Sequence, residues 1–150
     1  HGSATDTNEL IETAVYKTTL GSRAKTVAIS ATKPVTGHVM GATAAVEAAV
    51  CALALHHGVV PPTANLEHVE PGCDLDYVPG AARRTPVRHA MNVNLGFGGK
   101  SSAVILGRYD GVDLLVVCRI FEPCGCSSHP AHVVLVMAGV TRREPNGFPH

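Results

Sequence analysis

Leu10, Ile11, Ala14 and Val15 recur at the spacing of one helical face. Asp6 or Thr7 stands where a cap is wanted, and Gly21 where a helix stops. Thr26 to Ala31 is a short run of β-branched and small residues, read as a buried strand, and a polar, glycine-containing turn follows from Thr32 to His38. From Met40 to His57 the chain is alanine-rich and apolar almost all round (Ala42, Ala45, Val46, Ala49, Val50, Leu53, Ala54), the pattern of a helix packed between layers. Pro61 and Pro62 end it, and the stretch through Pro71 and Pro79 reads as loop with short strands around Asn65 and Tyr77. His89 to Leu95 and Ser102 to Gly107 then read as two strands of a hairpin separated by Gly96, Phe97, Gly98, Gly99 and Lys100. After Arg108 the character changes to apolar runs separated by turns rich in Pro, Gly, Ser and His, so a boundary is drawn between residues 1–108 and 109–150.

Composition narrows the partners. At 150 residues the chain is long enough to bury a core of its own. Lys plus Arg and Asp plus Glu balance at 12 each, which leaves no basic field for nucleic acid or for an anionic membrane surface. Aromatic residues are only 4%, while Gly (15) and Pro (10) are plentiful, which favours an α/β fold with an aliphatic core. The apolar run near Val133 to Val140 is well under the ~20 residues of a membrane span. Five cysteines at scattered positions form no even framework, and the opening residues show no export signal, so a soluble chain in a reducing cytoplasm is expected.

Candidate chemistry sits on loops at element ends: His1 to Thr5, Thr32 to His38, and Gly96 to Gly99. A neutral imidazole donates one ring N–H, so two histidines converging on one carbonyl oxygen can stabilise developing negative charge there. Lys33 lies five residues before His38, where it can tune such a site. A lone loop histidine is more often surface than catalyst, and neither ring carries an assignment by itself. Cys118, Cys124, Cys126, His129 and His132 supply ligands enough for tetrahedral zinc, but their spacing fits no standard zinc module and no metal is assigned. Gly99-Lys100-Ser101 is no phosphate loop, because Asn94 occupies the position where that motif needs glycine.

Six motifs in order carry a resemblance: His1-Gly-Ser-Ala-Thr5, Ser30-Ala-Thr-Lys-Pro-Val-Thr-Gly-His38, Gly41-Ala-Thr-Ala-Ala-Val-Glu47, Gly58-Val-Val-Pro-Pro-Thr-Ala-Asn65, Cys73-Asp-Leu-Asp-Tyr-Val-Pro79 and Asn94-Leu-Gly-Phe97-Gly-Gly. Residues 1–108 resemble the C-terminal half of a β-ketoacyl-[acyl-carrier-protein] synthase of the elongating type, with the aromatic polyketide ketosynthases as close relatives. The resemblance implies an α/β, thiolase-like, layered αβαβα fold built from two similar halves, usually a homodimer. It implies decarboxylative Claisen condensation of malonyl-carrier protein with an acyl thioester in fatty-acid or polyketide biosynthesis. His1 and His38 match the two histidines that bind the malonyl thioester carbonyl, and Lys33 the lysine beside the second. Glu12 matches the acid paired with that lysine, with Glu9 and Glu47 as supporting acids. Ser3 and Thr5 match hydroxyls that bond the phosphopantetheine arm, and Phe97 matches a gating aromatic at the acyl pocket. The implied partners are acyl carrier protein and its malonyl and acyl thioesters. No cofactor is implied beyond the phosphopantetheine that arrives on the carrier protein.

The nucleophilic cysteine of such enzymes lies in an N-terminal half that this sequence does not include, and Cys51 and Cys73 read as small buried hydrophobes. Inactivity of the chain alone is therefore expected. The alternative is a non-catalytic fragment that binds carrier protein or a complementary N-terminal half.

Overall fold

Thr7 begins the first helix in a computed structural model that describes residues 1–5, 7–108 and 134–135. Helix α1 (Asn8–Leu20) starts with the Ile11 amide donating to the Thr7 carbonyl at 3.1 Å, and the Thr7 side chain makes no cap bond. Gly21, at φ +56°, ends it as the sequence predicts, in a conformation that costs glycine little.

The face that α1 turns inward is not the apolar one. Glu9, Glu12, Thr13 and Tyr16 are buried, whereas Leu10, Ile11 and Val15 are 41%, 58% and 51% exposed. The polar stripe has work to do inside: the Thr13 hydroxyl lies 2.6 Å from the Tyr77 hydroxyl and donates to Cys73 Sγ at 3.4 Å. Glu12 is needed at the start of the chain, as described below.

Residues 27–31 form no ladder. A six-residue 3₁₀ segment (Gly21–Thr26) occupies the predicted start of that strand. A single parallel bridge joins Ala28 to Asp76, and another joins Thr63 to Pro79. The buried Thr63 hydroxyl stitches these pieces together, accepting from the Ala31 amide at 3.0 Å and donating to the Tyr77 carbonyl at 2.7 Å. Short helix α2 (Lys33–Thr36) follows, with Pro34 in its first turn, and Gly37 ends it.

Met40–Ala42 is a 3₁₀ turn that leads into α3 (Thr43–His57). By length and composition alone the stretch Met40–His57 is apolar enough to cross a membrane. Its inward face nevertheless holds Thr43, Glu47, Cys51, Ala54 and Leu55, while Val46 and Leu53 face out. The expected burial all round is therefore corrected to one buried face among the described residues. That face meets a sheet and contains a charged side chain with a partner, which is the placement of a core helix.

β1 (Val59–Val60) pairs antiparallel with β2 (Arg83–Arg84). β3 (His89–Gly96) and β4 (Lys100–Gly107) form the predicted hairpin, in register from His89↔Gly107 to Gly96↔Lys100, and β5 (Val134–Leu135) pairs parallel with β3 on its other edge. Alternation along β3 assigns its two faces. Ala90 joins Cys51, Leu55, Val60, Val78, Val87 and Leu106 in one core, and Met91 and Val93 pack against the other, built from Tyr16, Val27, Ile29, Leu66, Cys73 and Tyr77. Asn92 and Asn94 share the parity of Ala90 and face α3. The strand thus lies between two helical layers. The zinc-ligand candidates Cys118 to His132 lie outside the described residues.

Candidate active site

The loop that carries His1 is fastened from both sides. Glu12, buried on α1, lies with Oε1 2.6 Å from the His1 backbone nitrogen, and its Oε2 accepts from the Gly2 amide at 3.0 Å and the Asn8 side chain at 3.1 Å. On the opposite side Lys33 Nζ donates to the His1 carbonyl oxygen. A carboxylate on the nitrogens and an ammonium on the oxygen match the polarity of the main-chain groups they hold.

Lys33 is itself buried, and its carboxylate partner is Glu47, at 2.6 Å from Nζ to Oε1. This corrects the expectation that Glu12 pairs with Lys33. The helix geometry explains the difference: α2 presents Lys33 toward the inner face of α3, while Glu12 is used up by the His1–Gly2 loop. The second Glu47 oxygen accepts from Asn94 Nδ2 at 2.9 Å, so both oxygens of this fully buried acid are engaged.

His38 follows α2 on the segment that leads into α3, and its Nδ1 lies 3.1 Å from the buried Thr43 hydroxyl. A hydroxyl that donates to Nδ1 leaves the hydrogen of a neutral ring on Nε2. The rings of His1 and His38 stand edge to face, 5.4 Å between centroids at 82°. Both line one cavity of about 540 Å³, together with Met40, Asn94, Phe97 and Ser102 among others. Phe97, 95% exposed at the hairpin tip, forms part of its rim.

His1, His38 and Phe97 therefore meet at one cavity, and Lys33 stands behind His1. Ser3 and Thr5 do not line the cavity; their hydroxyls lie 3.5 Å apart on the loop after His1. Glu9 is buried on the inward face of α1. Thr43, Asn92 and Asn94 have roles here that the sequence reading did not assign. The available signal for Thr43 was a hydroxyl at the head of the apolar helix, five residues after His38.

Among the described residues no group of His, Cys, Asp or Glu is placed to hold a metal ion. The described cysteines, Cys51 and Cys73, are both buried and reduced. Burial, with a smaller contribution from the Glu47 carboxylate, pushes the Cys51 thiol up to about 12. A thiol needs its thiolate to act as a nucleophile. In the folded chain at pH 8, Cys51 is expected to resist an aromatic disulfide reagent and to react only on unfolding, with site-resolved mass spectrometry as the check. Rapid labelling of the native chain at Cys51 would contradict its burial.

Residues 1–67 match the family described as beta-ketoacyl synthase, C-terminal domain. The chain is 51% identical over 108 residues to the tetracenomycin polyketide synthase ketoacyl synthase alpha subunit of Streptomyces glaucescens, covering 72% of this chain and 25% of that protein. It is 41% identical over 109 residues to the 3-oxoacyl-[acyl-carrier-protein] synthase 2 of a Synechocystis species, covering 73% of this chain and 26% of that protein. The chain thus spans about a quarter of the length of these curated relatives. Among solved structures it is similar, at TM-score 0.71 and 34% identity, to one titled as a type II PKS acyl-carrier protein in complex with its ketosynthase bound to the hexaketide. That match covers 73% of this chain and 27% of the solved one. It bears out the α/β, thiolase-like C-terminal half expected from the motifs.

Proposed function

The chain carries the C-terminal domain of a beta-ketoacyl synthase, and from that premise we propose that it supplies the two-histidine half of a decarboxylative Claisen condensation. The substrates are a malonyl thioester and an acyl thioester, both borne on carrier protein. The observation that carries this reading is the meeting of His1 and His38 at one cavity, rings 5.4 Å apart. Ring N–H groups aimed at a shared thioester oxygen stabilise the enolate left when the C–C bond to the carboxylate breaks and carbon dioxide departs. The enolate carbon then attacks the acyl carbonyl, a new C–C bond forms, and the thiolate that held the acyl group leaves. Lys33 and Glu12 hold the His1 backbone, so their contribution is positional. The carrier-protein partner is supported by the ketosynthase complex to which this chain is similar. A cytoplasmic setting, and the pairing into a homodimer usual among such enzymes, belong to the same reading.

The acyl-holding thiol is supplied from outside the described residues, since both described cysteines are buried. The test is condensation measured with malonyl- and acyl-carrier proteins, with and without an added cysteine-bearing N-terminal half of a similar synthase. Turnover only with the added half is the expected result. Turnover by the chain alone would show that a thiol within it suffices. Carrier-protein binding with no turnover in either mixture would leave the non-catalytic binding fragment as the function.

A further inference from the structure

Asn94 stands at the junction between the cavity and the buried ion pair. It lines the cavity beside His1 and His38. Its Nδ2 donates to Glu47 Oε2 at 2.9 Å and to Asn92 Oδ1 at 2.8 Å, so both amide hydrogens are used. The orientation of the amide is decided by chemistry, because the opposite flip would press its oxygen against a carboxylate. Asn92, buried on the same face of β3, is anchored in turn by donating to the Ala44 carbonyl of α3 at 2.8 Å. A continuous polar row therefore runs from the α3 backbone through Asn92, Asn94, Glu47 and Lys33 to the His1 carbonyl.

A carboxylate on a side chain with rotatable bonds can offer either oxygen in several directions, and burial alone does not choose among them. Each neighbour must take one. Asn94 takes Oε2, which leaves Oε1 for Lys33 Nζ. We infer that Asn94 is a positioning residue: by holding one Glu47 oxygen, and being held by Asn92, it turns the other toward Lys33 and so keeps the ammonium on the His1 carbonyl. This hydrogen bond links the hairpin to the Lys33–Glu47 pair. The hairpin that carries Phe97 and the loop that carries His1 are thereby tied through side chains far apart in sequence.

Asn94→Leu removes both donors, Asn94→Asp replaces the donating nitrogen with an accepting carboxylate oxygen at nearly constant shape, and Asn94→Ser keeps one hydroxyl donor. In the full 150-residue chain the readout is hydrogen exchange of the Lys33 ammonium, followed by ¹H–¹⁵N NMR, with the backbone amides of β3 and β4 as the control for folding. Exchange is expected to accelerate by about tenfold or more in Leu and Asp, and to stay near the parent rate in Ser. Unchanged exchange in either Leu or Asp with the hairpin amides intact would overturn the assignment, and Asp alone decides if Leu does not fold. The catalytic consequence depends on the condensing reading above: with the added cysteine-bearing half, kcat should fall about tenfold or more in Leu and Asp while KM for malonyl-carrier protein holds. Absence of condensation in every sample would count against that reading alone, since the ammonium signal needs no turnover.

Discussion

Glu47→Leu is expected to lower the stability of the chain by about 3–5 kcal/mol, the loss that follows when one member of a buried ion pair is removed. The size of the effect comes from what is left behind. Lys33 has a side chain only 7% exposed, and Glu47 has none of its own in contact with solvent. Without the carboxylate, the Lys33 ammonium keeps the His1 carbonyl but loses its counter-charge, and Asn94 loses the acceptor for one of its amide hydrogens. The Lys33→Met/Glu47→Leu double variant removes both charges, so it should recover the larger part of that loss. Urea unfolding of the parent, the two single variants and the double variant measures all the terms, provided the dependence on denaturant is unchanged among them. Equal losses in Glu47→Leu and the double variant would show that the space filled by Glu47, and not its charge, matters to folding. A coupling near zero would separate Lys33 from Glu47 energetically despite the 2.6 Å contact.

Why some of this was legible in the sequence, and some was not, follows from the range of each interaction. The β3–β4 hairpin is local: two strand runs and a glycine turn predict the pairing, and the structure has it, with β3 running on to Gly96 and β4 starting at Lys100. The Gly21 stop is local in the same sense. In α1 the apolar residues Leu10, Ile11 and Val15 recur with helical spacing, but so do Glu9, Glu12, Thr13 and Tyr16. Periodicity finds the helix and leaves open which stripe turns inward. The choice was made by Tyr77, Cys73 and the His1–Gly2 loop, none of which is near in sequence except the last. Residues 27–31 have strand composition, yet one bridge, from Ala28 to Asp76, and a contact through Thr63 take the place of a ladder. The exchange of partners at Lys33 has the same origin. Glu12 and Glu47 are both acids on helices, and only the packing of α2 on α3 brings Glu47 to the lysine. Motif order located the loops that bear His1, His38 and Phe97. The amides of Asn92 and Asn94 became significant only once β3 had a face.

On the proposed condensing function, His38→Ala is expected to lower malonyl-thioester decarboxylation by about 10²–10³-fold in the mixture with the added cysteine-bearing half, the usual cost of deleting a preorganised donor to a developing oxyanion. Two contacts place the ring. Thr43 holds Nδ1, and His1 stacks edge-on, so the remaining nitrogen is the one free to serve the shared cavity. Thr43→Val should therefore act in the same direction with a smaller loss, about tenfold, because it removes the hydrogen bond that orients the ring and leaves the ring itself. The His1→Ala/His38→Ala double variant should lose little more than the worse single variant, since two donors that grip one oxygen act as a unit and their losses do not add. Release of labelled carbon dioxide from malonyl-carrier protein measures this step apart from bond formation. Additive losses would mean that the two rings serve different atoms or different steps. Decarboxylation within twofold of the parent in His38→Ala would remove this histidine from the chemistry, and with it the reason for reading the 5.4 Å pair as one oxyanion site.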